Sequence, residues 1–186
     1  IMWMTDVTGG HISSVWLSNT VGTYAPQTVK FLDGCEFGTP LQYGMRADAA
    51  DDVEVASSIV DGTILTASGV GIITNVVRGI NIHHNTIRQM WRGMTIAATT
   101  TGASVDFNSF GATTNWCVVV AANTNRFSII GNMCGSSTAW GANANGILVS
   151  AGTSDEYIVA LNRGYGITGT RWTDSGTGFA KQFTLN

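Results

Sequence analysis

The chain has 186 residues, of which 11% are charged, 44% are apolar and 23 are glycine, and its formal net charge is −3 at pH 7. This apolar content is enough to build the core of one domain, and the scarcity of charged residues excludes a chain kept unfolded by charge repulsion. A weakly acidic chain gives no electrostatic sign of nucleic-acid or anionic-membrane binding, and no apolar run approaches the ~20 residues that span a bilayer.

Six copies of one short pattern run through the chain. Each copy has an apolar residue, a polar or small residue three positions later, and an apolar or small residue two positions after that. The copies are Leu32/Cys35/Phe37, Val55/Ser58/Val60, Ile82/Asn85/Ile87, Val105/Asn108/Phe110, Ile129/Asn132/Cys134 and Val159/Asn162/Gly164. Their middle positions are separated by 23, 27, 23, 24 and 30 residues. Spacing of this kind indicates a repeat protein.

A second element follows in the repeat, as apolar alternation that usually begins at a glycine. Its copies lie at 44–47, 71–73, 93–96, 117–120 and 146–149. Short runs with period-two alternation predict strands, and no stretch has a helical pattern of sufficient length. The repeat therefore predicts an all-β solenoid, whose stacked coils lie ~4.8 Å apart and bury a continuous apolar column. A β-sandwich or barrel is the alternative, but it leaves the shared register of six units unexplained.

The polar middle position of the repeat has a structural interpretation. Asn85, Asn108, Asn132 and Asn162 would stack at one corner of the solenoid and hydrogen-bond along its axis. Asparagine also tolerates the left-handed backbone conformation of a tight corner.

The cysteines and histidines give no sign of a metal site. Cys35, Cys117 and Cys134 are an odd number without metal-type spacing, and we interpret them as buried free thiols that pack as small apolar residues. The neighbours His83 and His84 lack a third ligand. We expect no metal and no other cofactor.

The repeat resembles that of the right-handed parallel β-helices of the pectate-lyase-like superfamily. The resemblance covers roughly residues 30–165 and consists of Gly-Ile-x-Val, as at 146–149, and Asn-x-Ile, as at 85–87. The segment from Asn162 to Asn186, with Asp-Ser-Gly-Thr-Gly at 174–178, is similar to the ends of bacteriophage tailspike β-helices. The resemblance implies about six to seven right-handed coils in residues 1–165 and a closing segment in 166–186. Together they would form a single domain of a longer chain.

The resemblance also implies a function. A tailspike would be an extracellular, homotrimeric part of the virion tail that contacts other tail proteins and attaches to a bacterial capsule or O-antigen polysaccharide. It would bind this polysaccharide, and glycoside hydrolysis is the first candidate activity. The second candidate is the activity of a polysaccharide lyase, with Arg88 or Arg92 as base. The alternatives are a free carbohydrate-active enzyme of the same fold and a non-catalytic solenoid such as an adhesin. Neither nucleic acid nor a membrane is an expected partner.

Carboxylates are the first catalytic candidates. Glycoside hydrolysis uses two carboxyl groups held roughly 5–10 Å apart. The acidic cluster Asp48, Asp51, Asp52 and Glu54 lies in and after a predicted coil corner, where it would face a groove. A charged, solvated corner is the alternative interpretation. The face that carries Thr95 lacks the carboxylate row of the calcium-dependent pectate lyases.

The shared register also brings His83 and Asp106 together. Both residues directly follow an inward residue of the repeat, so they would lie one rung apart, ~5 Å, on the outer surface. The pair could act as a general base with its orienting acid, or it could be a solvated surface pair.

Tryptophans are the candidates for sugar binding. Trp91, Trp116 and Trp140 fall outside the predicted inward positions, where exposed rings could stack on sugar rings. The alternative is that they pack against a neighbouring subunit or loop.

Overall fold

Short parallel strands form the regular structure of the chain. The computed structural model describes residues 7–8, 13–18, 27–32, 34–38, 43–48, 51–62, 69–75, 77–98, 100–135 and 143–184, and their regular structure consists of β-strands. No helix long and apolar enough to cross a membrane occurs in these ranges. Trp140 lies outside them.

The strands, numbered in chain order, form three parallel sheets of seven strands each in the described part of the chain. Sheet A contains β1 (Val7–Thr8), β4 (Glu36–Gly38), β7 (Ile59–Asp61), β10 (Thr86–Arg88), β13 (Ser109–Gly111), β16 (Met133–Cys134) and β19 (Arg163–Gly164). Sheet B contains β2 (Ser13–Ser18), β5 (Tyr43–Asp48), β8 (Val70–Asn75), β11 (Arg92–Ile96), β14 (Trp116–Val120), β17 (Asn145–Gly152) and β20 (Trp172–Gly176). Sheet C contains β3 (Gln27–Phe31), β6 (Asp51–Ala56), β9 (Arg78–His83), β12 (Thr101–Asp106), β15 (Asn125–Ile130), β18 (Tyr157–Ala160) and β21 (Lys181–Phe183).

The chain visits sheets A, B and C in turn, and each strand pairs with its equivalents in the neighbouring coils. This confirms the predicted all-β, parallel solenoid. Strands β20 and β21 lie in the predicted closing segment, and they supply the last strands of sheets B and C.

The observed register is the one that the repeat predicts, except in the first copy. There Phe31, and not the predicted Leu32, pairs with Val55 and is buried, because one extra residue separates this strand from Cys35. Val55, Ile82, Val105, Ile129 and Val159 are successive partners in sheet C, and each is almost completely buried. The apolar residues at the third position of the repeat, such as Ile87 and Phe110, form the equivalent inward row of sheet A. Burial of these rows stabilises the fold by roughly 1.5–3 kcal/mol for each large side chain.

The asparagine row forms the predicted ladder. The side-chain oxygen of Asn108 accepts hydrogen bonds from the backbone N–H and the side-chain amide of Asn85, both at 3.0 Å. The same contacts join Asn108 to Asn132 and Asn132 to Asn162, and each side-chain amide also donates to a backbone carbonyl of the preceding coil. The buried asparagine side chains therefore supply hydrogen-bond partners to backbone N–H and carbonyl groups of this corner.

The left-handed backbone conformation at this corner lies one residue earlier than the asparagines. It is adopted by Ser57, His84, Phe107, Gly131 and Leu161, with φ between 49° and 66°. The expectation that asparagine itself occupies this conformation was wrong. The reason is that the asparagine side chain serves the axial ladder, while the preceding residue turns the chain.

An ionised group closes the inward row of sheet B. This row is apolar at Val120 and Val149, and in β20 it ends at Asp174. The Asp174 carboxylate accepts hydrogen bonds from the Tyr157 hydroxyl at 2.6 Å, the Gly176 N–H at 3.0 Å and the Lys181 ammonium at 3.1 Å. Burial alone would raise the pKa of Asp174, but these hydrogen bonds outweigh it and lower the pKa.

Candidate functional site

The outer surface at the start of sheet C contains a row of left-handed residues. The row consists of Asp52, Gly79, Gly102, Arg126 and Glu156, with φ of 50°, 66°, 70°, 57° and 55°. The residues on both sides of the first four are register partners, and Tyr157, which follows Glu156, pairs with Phe127, so the five residues lie on successive rungs. Charged side chains occupy the ends of this row, whereas its second and third positions have no side chain.

The two adjacent glycines create a depression, which we call the trough. Its ends are Asp52 and Arg126, three rungs or roughly 14 Å apart. Beside the glycines lies an outward row that continues through Asn81, Ser104 and Ser128. The Ser128 hydroxyl donates to that of Ser104 at 3.3 Å, so small polar groups line the trough along its length.

A pocket of about 300 Å³ lies at the Asp52 end of the trough. It is lined by Lys30, Asp52, Val53, Glu54, Gly79 and Asn81. The Asp52 carboxylate leans over Gly79, since a Cβ built on this glycine would lie 2.6 Å from Asp52 Oδ1. The pocket therefore combines two carboxylates, an ammonium and an amide within one surface of limited size.

Glu54 is held by two partners in this pocket. Its Oε2 accepts from Lys30 Nζ at 2.7 Å, and its Oε1 lies 3.1 Å from His83 Nε2. The hydrogen bonds from Lys30 and from His83 lower the pKa of Glu54, so this carboxyl group is ionised at neutral pH. A carboxylate only accepts, which makes His83 Nε2 the donor. In neutral His83, Nδ1 then accepts from His84 Nδ1 at 3.0 Å.

A second pocket of about 280 Å³ lies at the Arg126 end of the trough. It is lined by Thr101, Asn125, Arg126, Asp155 and Glu156, and Arg126 Nε donates to Glu156 Oε2 at 2.7 Å. Both ends of the trough therefore present paired opposite charges together with amide groups.

The structure divides the predicted acidic cluster between two faces. Asp52 and Glu54 share the pocket on sheet C, and Asp51 begins the same strand. Asp48 lies at the end of β5 in sheet B, where its carboxylate accepts from Arg46 Nε and from Asn75 Nδ2, both at 2.6 Å. Two of the four predicted carboxylates are therefore in one site.

The predicted pairing of His83 with Asp106 is only partly correct. The two residues are register partners on adjacent rungs, as the repeat predicts. However, the imidazole of His83 contacts Glu54 on the preceding rung, and Asp106 Oδ2 accepts from the Ser104 hydroxyl. The other oxygen of Asp106 is buried without a hydrogen-bond partner. The structure therefore pairs the His83 imidazole with Glu54, and Asp106 with Ser104.

Trp91 and Trp116 lie on adjacent coils at a different corner of the solenoid, between sheets A and B. Trp91 precedes β11 and Trp116 begins β14, and both rings are half-buried. The Arg92 guanidinium lies 4.1 Å from the centre of the Trp91 ring, and its Nε donates to Asn115 Oδ1 at 3.1 Å. Burial lowers the pKa of Arg92. Because the tryptophans lie where the strands of sheet B begin and the trough lies where the strands of sheet C begin, sheet B separates the two surfaces.

Of the two arginines considered as a lyase base, Arg88 lies on sheet A, where its Nε donates to Asp61 Oδ2 at 2.8 Å. No group of three or more His, Cys, Asp or Glu side chains that could hold a metal ion occurs among the residues that the structure describes.

Sequence reasoning missed several residues of the trough. Asn81 is an outward member of a strand whose inward members, Ile80 and Ile82, were identified, so period-two alternation could have found it. Lys30 could not be found in this way, because the repeat takes Leu32 as inward and alternation from Leu32 would put Lys30 inward as well. Gly79 and Gly102 occupy equivalent positions in consecutive repeats, which is the signal of a small-residue step in the surface.

Comparisons with known proteins give no relative. No protein-family model matches the chain, and no curated protein and no solved structure is significantly similar to it.

Proposed function

We propose that this solenoid is a surface-glycan-binding region of a bacteriophage tail appendage, and that the trough holds an extended bacterial polysaccharide parallel to the solenoid axis. One observation carries the proposal: two adjacent glycines form a depression whose hydrogen-bonding groups repeat along the rungs. The tail appendage itself, its homotrimeric state and its extracellular location are proposed from the similarity of the segment from Asn162 to Asn186 to the ends of tailspike β-helices.

The chemistry of the trough suits a hydroxyl-rich chain. Sugar hydroxyls both donate and accept hydrogen bonds, and bonds to ionised partners are roughly twice as strong as neutral ones. The trough offers carboxylate acceptors such as Asp52 and Asp155 and donors such as Lys30, Arg126 and Asn81. A polymer with a regular repeat can meet such groups on several rungs, which adds weak contacts along its length.

Binding fits this site better than hydrolysis. Asp52 and Glu54 line one pocket, and this observation favours glycoside hydrolysis as the second candidate. However, hydrolysis needs a carboxylic acid that is protonated at working pH, and the pKa of Glu54 is lowered. Both oxygens of Glu54 are also occupied by Lys30 and His83. Glu54 therefore suits the role of a fixed acceptor for a ligand.

A substitution that fills the trough tests the proposal. Gly102→Asn should fold, because asparagine tolerates the left-handed conformation and the atom nearest to a Cβ at Gly102 would be the Gly79 nitrogen, at 3.5 Å. Gly166→Asn is the matched control, since Gly166 has φ of 62° and open space around it. Calorimetry with purified capsule and O-antigen polysaccharides should show binding by the wild type and by Gly166→Asn, and at least tenfold weaker binding by Gly102→Asn.

Equal affinity of Gly102→Asn and wild type for a bound polysaccharide would refute the trough as the site. Release of new reducing ends by the wild type, and its loss in Asp51→Asn/Asp52→Asn, would establish hydrolysis in this pocket. Sedimentation equilibrium tests the tail appendage separately. We expect a trimer, and a monomer would contradict the appendage while leaving the glycan site to be judged by calorimetry.

A further inference from the structure

A column of small residues runs along sheet B, where its strands pass closest to sheet A. The column consists of Gly44, Gly71, Gly93, Cys117 and Gly146, each following the first paired residue of its strand. A Cβ built on the first three would lie 2.4 Å from Val60 Cγ1, 2.6 Å from Ile87 Cγ2 and 2.4 Å from Phe110 Cδ1, respectively. Each of these glycines thus faces the inward residue of sheet A in the next coil.

Cys117 is the one member of this column that carries a side chain. Val60, Ile87, Phe110 and Cys134 are successive register partners in sheet A, so the residue that Cys117 faces is Cys134. In the coil where sheet B has a cysteine at the position that is glycine in four other coils, the facing residue of sheet A is also a cysteine. In the coils before it the facing residue is a larger apolar one. Both cysteines are completely buried in the same core.

The spacing at this contact suits a disulfide. A Cβ built on Gly44 or Gly71 lies 2.4 or 2.6 Å from a methyl carbon of Val60 or Ile87. Because a carbon–carbon bond is ~1.5 Å long, that built Cβ is no more than about 4 Å from the Cβ of Val60 or Ile87. Disulfides have Cβ separations of about 3.5–4.5 Å. Cys35 is excluded as a partner, since β4 and β16 are four rungs, or ~19 Å, apart and bridged Cα atoms lie within about 7 Å.

We propose that Cys117 and Cys134 are a disulfide site that links sheet B of one coil to sheet A of the next, and that Cys35 takes no part in a disulfide. In the structure Cys117 and Cys134 are not cross-linked. The bond would close a loop from residue 117 to residue 134, and a cross-link of this kind stabilises the fold mainly by restricting the unfolded chain.

The cross-link forms by exchange with a low-molecular-weight disulfide such as oxidised glutathione. The thiolate of one cysteine attacks the reagent and releases one glutathione, and the thiolate of the other cysteine then displaces the second glutathione. Two protons and two electrons leave the protein, and the reagent becomes two thiols. Burial, followed by the contact with Cys117, raises the pKa of Cys134, so the folded thiol is a poor nucleophile. Oxidation therefore belongs to folding, before the coil closes.

Thiol counting after refolding tests the inference. The chain is unfolded with reductant, refolded in a mixture of oxidised and reduced glutathione, denatured and alkylated, and its mass is measured. The oxidised wild type should take up one alkyl group, and the same sample should take up three after reduction. Peptide mapping should assign the link to residues 117 and 134, and the melting temperature should fall on reduction.

Two kinds of variant control this experiment. Cys35→Ser should keep the cross-link and take up no alkyl group when oxidised. Cys117→Gly introduces the residue found at the equivalent position of four other coils, and Cys134→Val introduces the residue found at position 60. Each variant should fold and should take up two alkyl groups with or without prior reduction. Reductant should not change the melting temperature of either variant. Three alkyl groups on the refolded wild type, or a link that includes Cys35, would overturn the inference.

Discussion

The asparagine ladder makes a strong prediction at Asn108, because each atom of its amide has a defined partner. Its side-chain nitrogen donates to the carbonyl of Ile82 at 2.8 Å and to Asn132 Oδ1 at 3.0 Å, while its oxygen accepts twice from Asn85. The substitution Asn108→Asp keeps the shape of the side chain and the accepting oxygen. It replaces the donating nitrogen with an oxygen that faces two acceptors.

The expected cost follows from these contacts. Two buried acceptors lose their donors, at about 1–3 kcal/mol each, and a buried ionised carboxylate without a positively charged partner adds several kcal/mol more. We expect a loss of at least ~4 kcal/mol at pH 7, which is a large part of the roughly 5–15 kcal/mol available to a domain. Asn108→Ser is the control, because Ser58 occupies the equivalent position of an earlier coil and donates to the carbonyl of Ala56 at 2.8 Å. It should cost less than the aspartate.

The pH dependence separates buried charge from lost shape. Burial raises the pKa of the introduced carboxyl group above the ~3.9 of an unfolded chain. Below that value the group is protonated in both states and the penalty of ionisation is absent. As pH rises towards the pKa of the folded state, only the unfolded state releases the proton, and stability falls. Urea unfolding of Asn108→Asp and Asn108→Ser, followed by circular dichroism between pH 3 and 8 at about one-unit steps, measures this difference. Equal loss in both variants at every pH would refute the argument.

Three further predictions concern the core and the end of the sheet B row. Ile82→Asp should abolish cooperative urea unfolding, since it buries an unpaired charge in the column; near-wild-type unfolding would mean that Ile82 is not inward. Gly93→Ala should destabilise the protein by more than ~1 kcal/mol in urea, because its Cβ would lie 2.4 Å from Phe110 Cδ1; the double variant with Phe110→Leu should recover part of the loss. The lowered pKa of Asp174 contributes stability that is present above the unfolded value of ~3.9 and is lost as pH falls through the folded value. The melting temperature of Asp174→Asn should therefore fall less than that of the wild type when the solution is acidified. An equal fall in both proteins would contradict the contact of Asp174 with Tyr157.

The sequence predicts the parts of this fold that repeat. Ile82, Asn85 and Ile87 could be assigned to the inward rows and the ladder because equivalent residues recur at the same offsets in the other units. The left-handed corner was not predicted at His84, since its equivalents are too varied to reveal a common backbone requirement. Period and residue type therefore define the coil, while the turn between strands is set by the stacking itself.

The candidate site could be predicted only in part, because it depends on which neighbour a side chain selects. The register places His83 beside Asp106, but the imidazole reaches back to Glu54 instead. Rotamer and hydrogen-bond geometry decide between these contacts, and neither is readable from spacing. The link between Lys30 and Glu54 has a different origin, since it joins direct register partners of sheet C; it was missed because the first copy of the repeat was aligned on Leu32 instead of Phe31.

A solenoid repeats its outward positions on every rung, so a place where a row is interrupted differs in shape from the surface around it. The row from Asp52 to Arg126 is interrupted by two glycines, and polar side chains remain along its edge. The tryptophan corner is a weaker surface, because Trp91 is half-buried and the Arg92 guanidinium covers one face of its ring. Stacking on a sugar there would require Arg92 to leave the ring and to give up its hydrogen bond to Asn115. The trough is open at Gly102, where the atom nearest to an added Cβ would be the Gly79 nitrogen at 3.5 Å, and for this reason the glycine pair is a better candidate for the glycan site than the aromatic residues.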